Sequence, residues 1–139
     1  MKKVVGIIVC VMSFVFLAKS QDHIDTDTIG LRTVTDKIYN KPLFGDSLAS
    51  SFVIVIRDQV KPHKHVKHSE HVVVLSGKAQ MTLRLAQGDK VFSIKKGDVI
   101  FIPKNTVHSV IATSKNEPLK VLSVQAPYFD GTDRIFVDQ

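Results

Sequence analysis

Apolar and polar positions alternate along much of this chain with a period of two. The pattern is plainest where Ala79, Met81, Leu83 and Leu85 interleave with Lys78, Gln80, Thr82 and Arg84. Side chains of an extended strand point alternately to opposite faces, so this segment predicts a strand with one face buried and one in water. Residues 52–56 are instead continuously apolar and mostly β-branched, which predicts a strand covered on both faces. Residues 72–75, 91–94, 99–102, 107–112 and 119–124 read as further short strands. Between them stand turn residues: Ser76-Gly77, Gln87-Gly88-Asp89, Lys96-Gly97-Asp98, the stretch 103–106 and the stretch 113–118. Residues 57–62, with Asp58 and Pro62, also read as a turn. Beyond the N-terminal segment, apolar residues nowhere recur at helical spacing, so the fold class is all-β, a sandwich or barrel of six or more strands.

The first residues follow a different rule. Met1, Lys2 and Lys3 lead into 14 apolar or small residues, 4–17, and then Ala18, Lys19 and Ser20. A bilayer span needs about 20 apolar residues, so this order predicts a signal peptide over 1–20, cleaved after Ser20, and no membrane span afterwards. The expected location is secreted or periplasmic. Losing Lys2, Lys3 and Lys19 lowers the formal net charge from +6 to +3. The remaining lysines are scattered among apolar positions, so no nucleic-acid partner is expected. The single cysteine, Cys10, leaves with the segment, and thiol chemistry leaves with it. What remains suits one domain: an N-terminal arm over 21–51 with possible edge strands, a β domain over 52–126, and a tail over 127–139.

The chemistry concentrates in HKHVKHSEHVVVLSG, residues 63–77. His63 and His65 are two apart on an extended chain, so their imidazoles share a face and can grip one ion. Glu70 lies an odd number of positions beyond His65, so its carboxylate meets them only if a bend or bulge intervenes. His71 follows Glu70 and should face away. His68 lies in the expected bend and is an alternative to Glu70 as a ligand, and His23 belongs to the exposed arm.

Downstream, GDVIFIPKNTVHSVIA brings Gly97, Pro103 and His108. Together the two segments resemble the cupin superfamily, in particular its small single-domain, conserved-barrel type. His63, His65, Glu70 and Gly77 stand at the spacing of its first motif, and Gly97, Pro103 and His108 at that of its second. Three positions depart: Arg57 and Asn105 replace motif glycines, and Ala112 replaces an asparagine. Asn is the residue best suited to stand in for glycine in a left-handed turn. The resemblance implies a double-stranded β-helix, or jelly-roll barrel. It also implies a mononuclear metal site with His63, His65, Glu70 and His108 as ligands. Three imidazoles and a carboxylate suit one divalent first-row transition ion, Fe, Mn, Ni, Co, Cu or Zn, and not Ca or Mg. On a six-coordinate ion such a set leaves two positions open. Because imidazoles bind metal only when neutral, affinity should fall below about pH 6.

Two functional classes remain open on this reading. One is a metal-dependent enzyme of dioxygenase, decarboxylase or isomerase type acting on a small oxygen-rich substrate, with the oxidoreductase slightly favoured. The other is a non-catalytic module that binds metal or a small ligand such as a sugar. Catalysis would call for a general acid or base inside the barrel, for which Tyr39, Arg57, Gln80, Arg84 and Gln125 are the candidates. A homodimer is expected, because the apolar strand over 52–56 needs cover on both faces.

Overall fold

Ten strands carry the fold among the residues described by the computed structural model, which are 23–30, 36–114 and 116–138. Residues 1–20, read as a signal peptide, lie outside them. In chain order the strands are β1 (Ile38–Gly45), β2 (Ser50–Ile56), β3 (Gln59–Lys64), β4 (Ser69–Ser76), β5 (Lys78–Leu85), β6 (Gly88–Lys95), β7 (Val99–Ile102), β8 (Val107–Ala112), β9 (Leu119–Ala126) and β10 (Ile135–Phe136). The only helical element described is a 3-10 turn at Thr26–Thr28. No described helix is long and apolar enough to cross a membrane.

The strands form two antiparallel five-stranded sheets, β1-β2-β9-β4-β7 and β10-β3-β8-β5-β6. Apart from the hairpins β1–β2 and β5–β6, successive strands therefore switch between sheets, and the core lies between the two. Strand β5 buries Ala79, Met81 and Leu83 and exposes Lys78 and Gln80, as its alternation requires. These side chains meet Ile56, Val72, Val74, Ile94, Ile102, Leu119 and Val121 from the surrounding strands. Each such aliphatic side chain contributes about 1.5–3 kcal/mol on burial.

Strand β2 is sandwiched between β1 and β9. Its Phe52 packs edge-on against Phe129 of the tail, with ring centroids 6.0 Å apart. Gly30 of the N-terminal arm closes over Val55, so the chain itself supplies cover that the sequence led us to seek in a second copy. The arm is tied down further by Lys120, whose buried ammonium donates to the carbonyls of Thr26 and Asp27.

The turn expected over 57–62 is shorter than that. Arg57 and Asp58 bend, but β3 already begins at Gln59. Its pairing with β8 shifts register between Val60 and His63, so Pro62, which has no N–H to give, falls in the irregular stretch. Two turns fix the approach to the site. Gly77 has φ +80°, and a Cβ there would stand 2.4 Å from the Pro118 carbonyl oxygen, so no other residue fits without moving the backbone. Asn105 adopts φ +65°, the left-handed conformation its motif position demands, and its N–H donates to the His65 carbonyl at 2.7 Å.

Candidate metal centre

His63 lies near the end of β3 and pairs directly across the ladder with His108 on β8. Their rings sit 4.2 Å apart. His65 follows just after β3, where residues 66–67 bend before β4 begins at Ser69. That bend is the one the odd spacing of Glu70 calls for. It carries the chain from one sheet to the other, so Glu70 approaches the histidines from the opposite wall of the sandwich. All four side chains are buried.

Each of the three imidazoles is held by a backbone carbonyl. His63 Nδ1 lies 2.9 Å from the Lys61 carbonyl, His65 Nδ1 2.5 Å from the Asp133 carbonyl, and His108 Nδ1 3.0 Å from the Thr106 carbonyl. A carbonyl can only accept, so each Nδ1 carries the proton and each Nε2 is left with its lone pair. His63, His65 and His108 offer nitrogens within 4.8 Å of one another. The Glu70 Oε2 atom joins them, 3.4 Å from His108 Nε2 and 3.9 Å from His65 Nε2. Its other oxygen, Oε1, accepts from the Ser123 hydroxyl at 2.5 Å and from Gln125 Nε2 at 3.4 Å. Gln125 stands opposite Glu70 in the β4–β9 ladder, which is why it reaches.

Protonation states follow from the same surroundings. Burial pushes the His63 imidazole down to about 3, with the neighbouring His108 adding to the effect. Burial also lowers His65. For Glu70, burial would raise the carboxyl, but His108, the Ser123 hydroxyl and His65 beside it together hold it at about 2. Neutral imidazoles and an ionised carboxylate are the forms that ligate a metal.

These residues fit a transition ion. Oriented Nε2 atoms face a shared point, and His65 Nε2 is buried with no hydrogen-bond partner, a costly arrangement unless another group satisfies it. Nitrogen donors with one carboxylate favour a first-row ion over calcium or magnesium. The centre opens on a cavity of about 80 Å³ between the sheets, lined by these four residues and by apolar side chains such as Ile54, Met81 and Val121.

The other candidates fall elsewhere. His71 is exposed and lies tilted against Phe101, and His23 is exposed on the arm. Gln80 and Arg84 lie on the outer face of β5, Arg84 pairing with Asp89 at 3.5 Å. Tyr39 and Arg57 are half-buried and do not line the cavity, and of the five only Gln125 touches the site. His68 is buried behind His65, their rings 4.2 Å apart, with Nδ1 3.0 Å from the Asp133 carboxylate.

Three supporting residues had not been singled out from the sequence. Ser123 is a polar position between Leu122 and Val124, two before Gln125, and that alternation is a readable sign of a polar inward face. Asp133 accepts the N–H groups of Val66 and Lys67 at 3.1 and 2.6 Å while its own carbonyl orients His65. Burial would raise this carboxyl, but the two N–H donors and His68 lower it. Arg134 lines the cavity. Both tail residues stand more than sixty positions from His65, where no local pattern announces them.

The chain is 36% identical over 89 residues to an uncharacterized protein of Aquifex aeolicus, a match covering 64% of this chain and 69% of that one. Across the curated relatives the matched stretch falls from 69% to 12% of their own length. Among solved structures, a Klebsiella pneumoniae protein described as having a double-stranded β-helix domain superposes with a TM-score of 0.69 at 17% identity, covering 86% of this chain and 100% of that one. A mutant of Bacillus subtilis oxalate decarboxylase superposes with a TM-score of 0.57 at 19% identity, over 70% of this chain and 30% of that chain. The family model described as Cupin domain matches residues 52–125, which holds every residue of the His–Glu centre, and the chain belongs to that family.

Proposed function

We propose that this is an exported cupin that holds one divalent first-row transition ion on His63, His65, His108 and Glu70 and uses it as a metal-dependent enzyme on a small oxygen-rich substrate. The observation that carries the reading is the convergence of three Nε2 atoms and one carboxylate oxygen on one side of a cavity. A purely structural metal site closes around its ion, whereas a catalytic one keeps a side open. When bound, the ion supplies Lewis acidity or an anchor for dioxygen.

The chain's own part is positioning. Lys61, Asp133 and Thr106 carbonyls fix the three rings, Ser123 and Gln125 fix Glu70, and apolar walls limit water in the cavity. Among the described residues the cavity presents no carboxylate besides Glu70 and no histidine besides the three. That favours a reaction whose chemistry the bound ion would supply, of dioxygenase or decarboxylase type, over one that requires a protein base. The same observation supports the second reading, a module that binds metal and a small ligand without turnover. Export is proposed from the sequence of residues 1–20 alone. A homodimer is proposed on the exposed Val99 and Phe101 of edge strand β7.

Elemental analysis of protein purified from its own host tests the reading, followed by oxygen uptake with catechols, flavonols and small keto acids. One first-row ion per chain and turnover lost in His63→Ala is the expected result. Metal without turnover selects the module, and absence of any transition ion contradicts both.

A further inference from the structure

The tail returns to the metal centre after β9. Ile135 and Phe136 pair with Lys64 and His63, and continuing that register one step sets Arg134 beside His65. Arg134 lines the same cavity as the four ligands, and its Nε is buried without a partner. Among the described residues it makes no ion pair, whereas Lys37 and Arg84 on the surface pair with Asp58 and Asp89. Its charge is felt in the site, adding to the lowering of both His63 and His65. A guanidinium with a buried, unmatched N–H beside an apolar cavity is unfavourable unless an oxyanion completes it, and its planar fork matches a carboxylate.

We propose that Arg134 is the anion anchor of this cavity, receiving one carboxylate of a short carboxylic acid whose remaining oxygens occupy the open side of the metal centre. The proposal rests on the metal-centre reading. Charge supports it: a divalent ion, ionised Glu70 and Arg134, with three neutral imidazoles, leave two positive charges for an anionic ligand to offset. Size supports it too. At about 10–15 Å³ of such space per water-sized group, a cavity of about 80 Å³ has room for roughly five to eight such groups, the size of a two- or three-carbon acid. Chemistry separates it from a sugar. Besides the ligands and Arg134, the polar side chains in the lining are Asn40 and Ser109, too few to satisfy a hydroxyl on nearly every carbon. A short acid carries its polar atoms at its ends, where Arg134 and the metal would meet them.

The test uses the protein loaded with Co(II) and titrated with oxalate and with pyruvate, following the visible absorption of the cobalt. Imidazole serves as a neutral ligand for comparison. The wild type should bind at least one acid, and Arg134→Gln should weaken that binding about 10- to 100-fold. Arg134→Lys, which keeps the charge without the fork, should fall between. Imidazole affinity and cobalt content should match the wild type in both. If Arg134→Gln binds the acids as tightly as the wild type, or if cobalt-loaded wild type binds neither, the anchor is wrong while the metal site stands. If cobalt fails to bind, or binds His63→Ala equally well, the metal reading fails first and the anchor falls with it. Should Arg134→Gln not fold, Arg134→Lys decides, and full acid affinity with lysine in place of the fork overturns the assignment.

Discussion

Two triads of metal-ligating residues share His65, and they are built for different work. His63, His65 and His108 form one; His65, His68 and Asp133 form the other, with ligand atoms likewise within 4.8 Å of one another and every member buried. In the first, each Nδ1 is tied to a backbone carbonyl and each Nε2 is free, with a cavity beyond. In the second, the Asp133 carboxylate already accepts two backbone N–H groups and stands against His68. His65 has one uncommitted nitrogen, so it can serve one ion only. Proximity of His and Asp does not make a metal site; free lone pairs aimed at shared open space do. The second triad is the brace of the first, since Asp133 both orients His65 and pins the bend that delivers Glu70.

The largest effect should come from removing a ligand of the open triad. His63→Ala and His108→Ala should each lower metal affinity by roughly 100-fold or more, beyond the 10- to 100-fold that loss of an outer partner costs. His71→Ala should leave it unchanged. Metal content after dialysis checks this, and equal retention in all three variants would erase the distinction.

Removing the brace should act on the fold first. Asp133→Ala strips a buried carboxylate from two N–H donors and His68, and should destabilise the protein by about 3 kcal/mol. Metal affinity should drop roughly 10-fold as His65 loosens. Denaturant melts and metal titration read the two separately; a variant of full stability would show the second triad to be idle.

A smaller effect should appear with pH in the metal-free protein. His63 titrates near 3 in the fold, against about 6.5 in the unfolded chain. As pH falls through that interval the unfolded state takes up the proton and the folded state does not, so stability declines. Glu70, held at about 2 against 4.5, adds a further loss below 4.5. The melting temperature should therefore fall from pH 7.5 to 5.5 and again to 4.5. A flat profile would mean these groups are not buried as described. Bound metal should persist somewhat below pH 6, the limit expected for ordinary imidazoles, because His63 and His65 resist protonation.

How far the sequence reaches is clear from particular residues. Period-two alternation located β5, and the parity of Glu70 against His65 required the bend found at residues 66–67. Asn105 in place of glycine was readable as a left-handed turn, and it is one. Strand β3 was partly missed because Gln59, Lys61 and Pro62 look like turn residues, and pairing with β8 and β10 overrides that local preference. The brace and the cavity arginine were illegible, since Asp133 and Arg134 meet His65 only through the return of the tail along β3.

Diffraction at the absorption edge of a bound ion, from crystals of the zinc- or manganese-loaded protein, tests the central claim most directly. The account predicts one anomalous peak per chain, about 2.0–2.2 Å from the Nε2 atoms of His63, His65 and His108 and from Glu70 Oε2. A peak on His68 and Asp133, with none between His63 and His108, would contradict it.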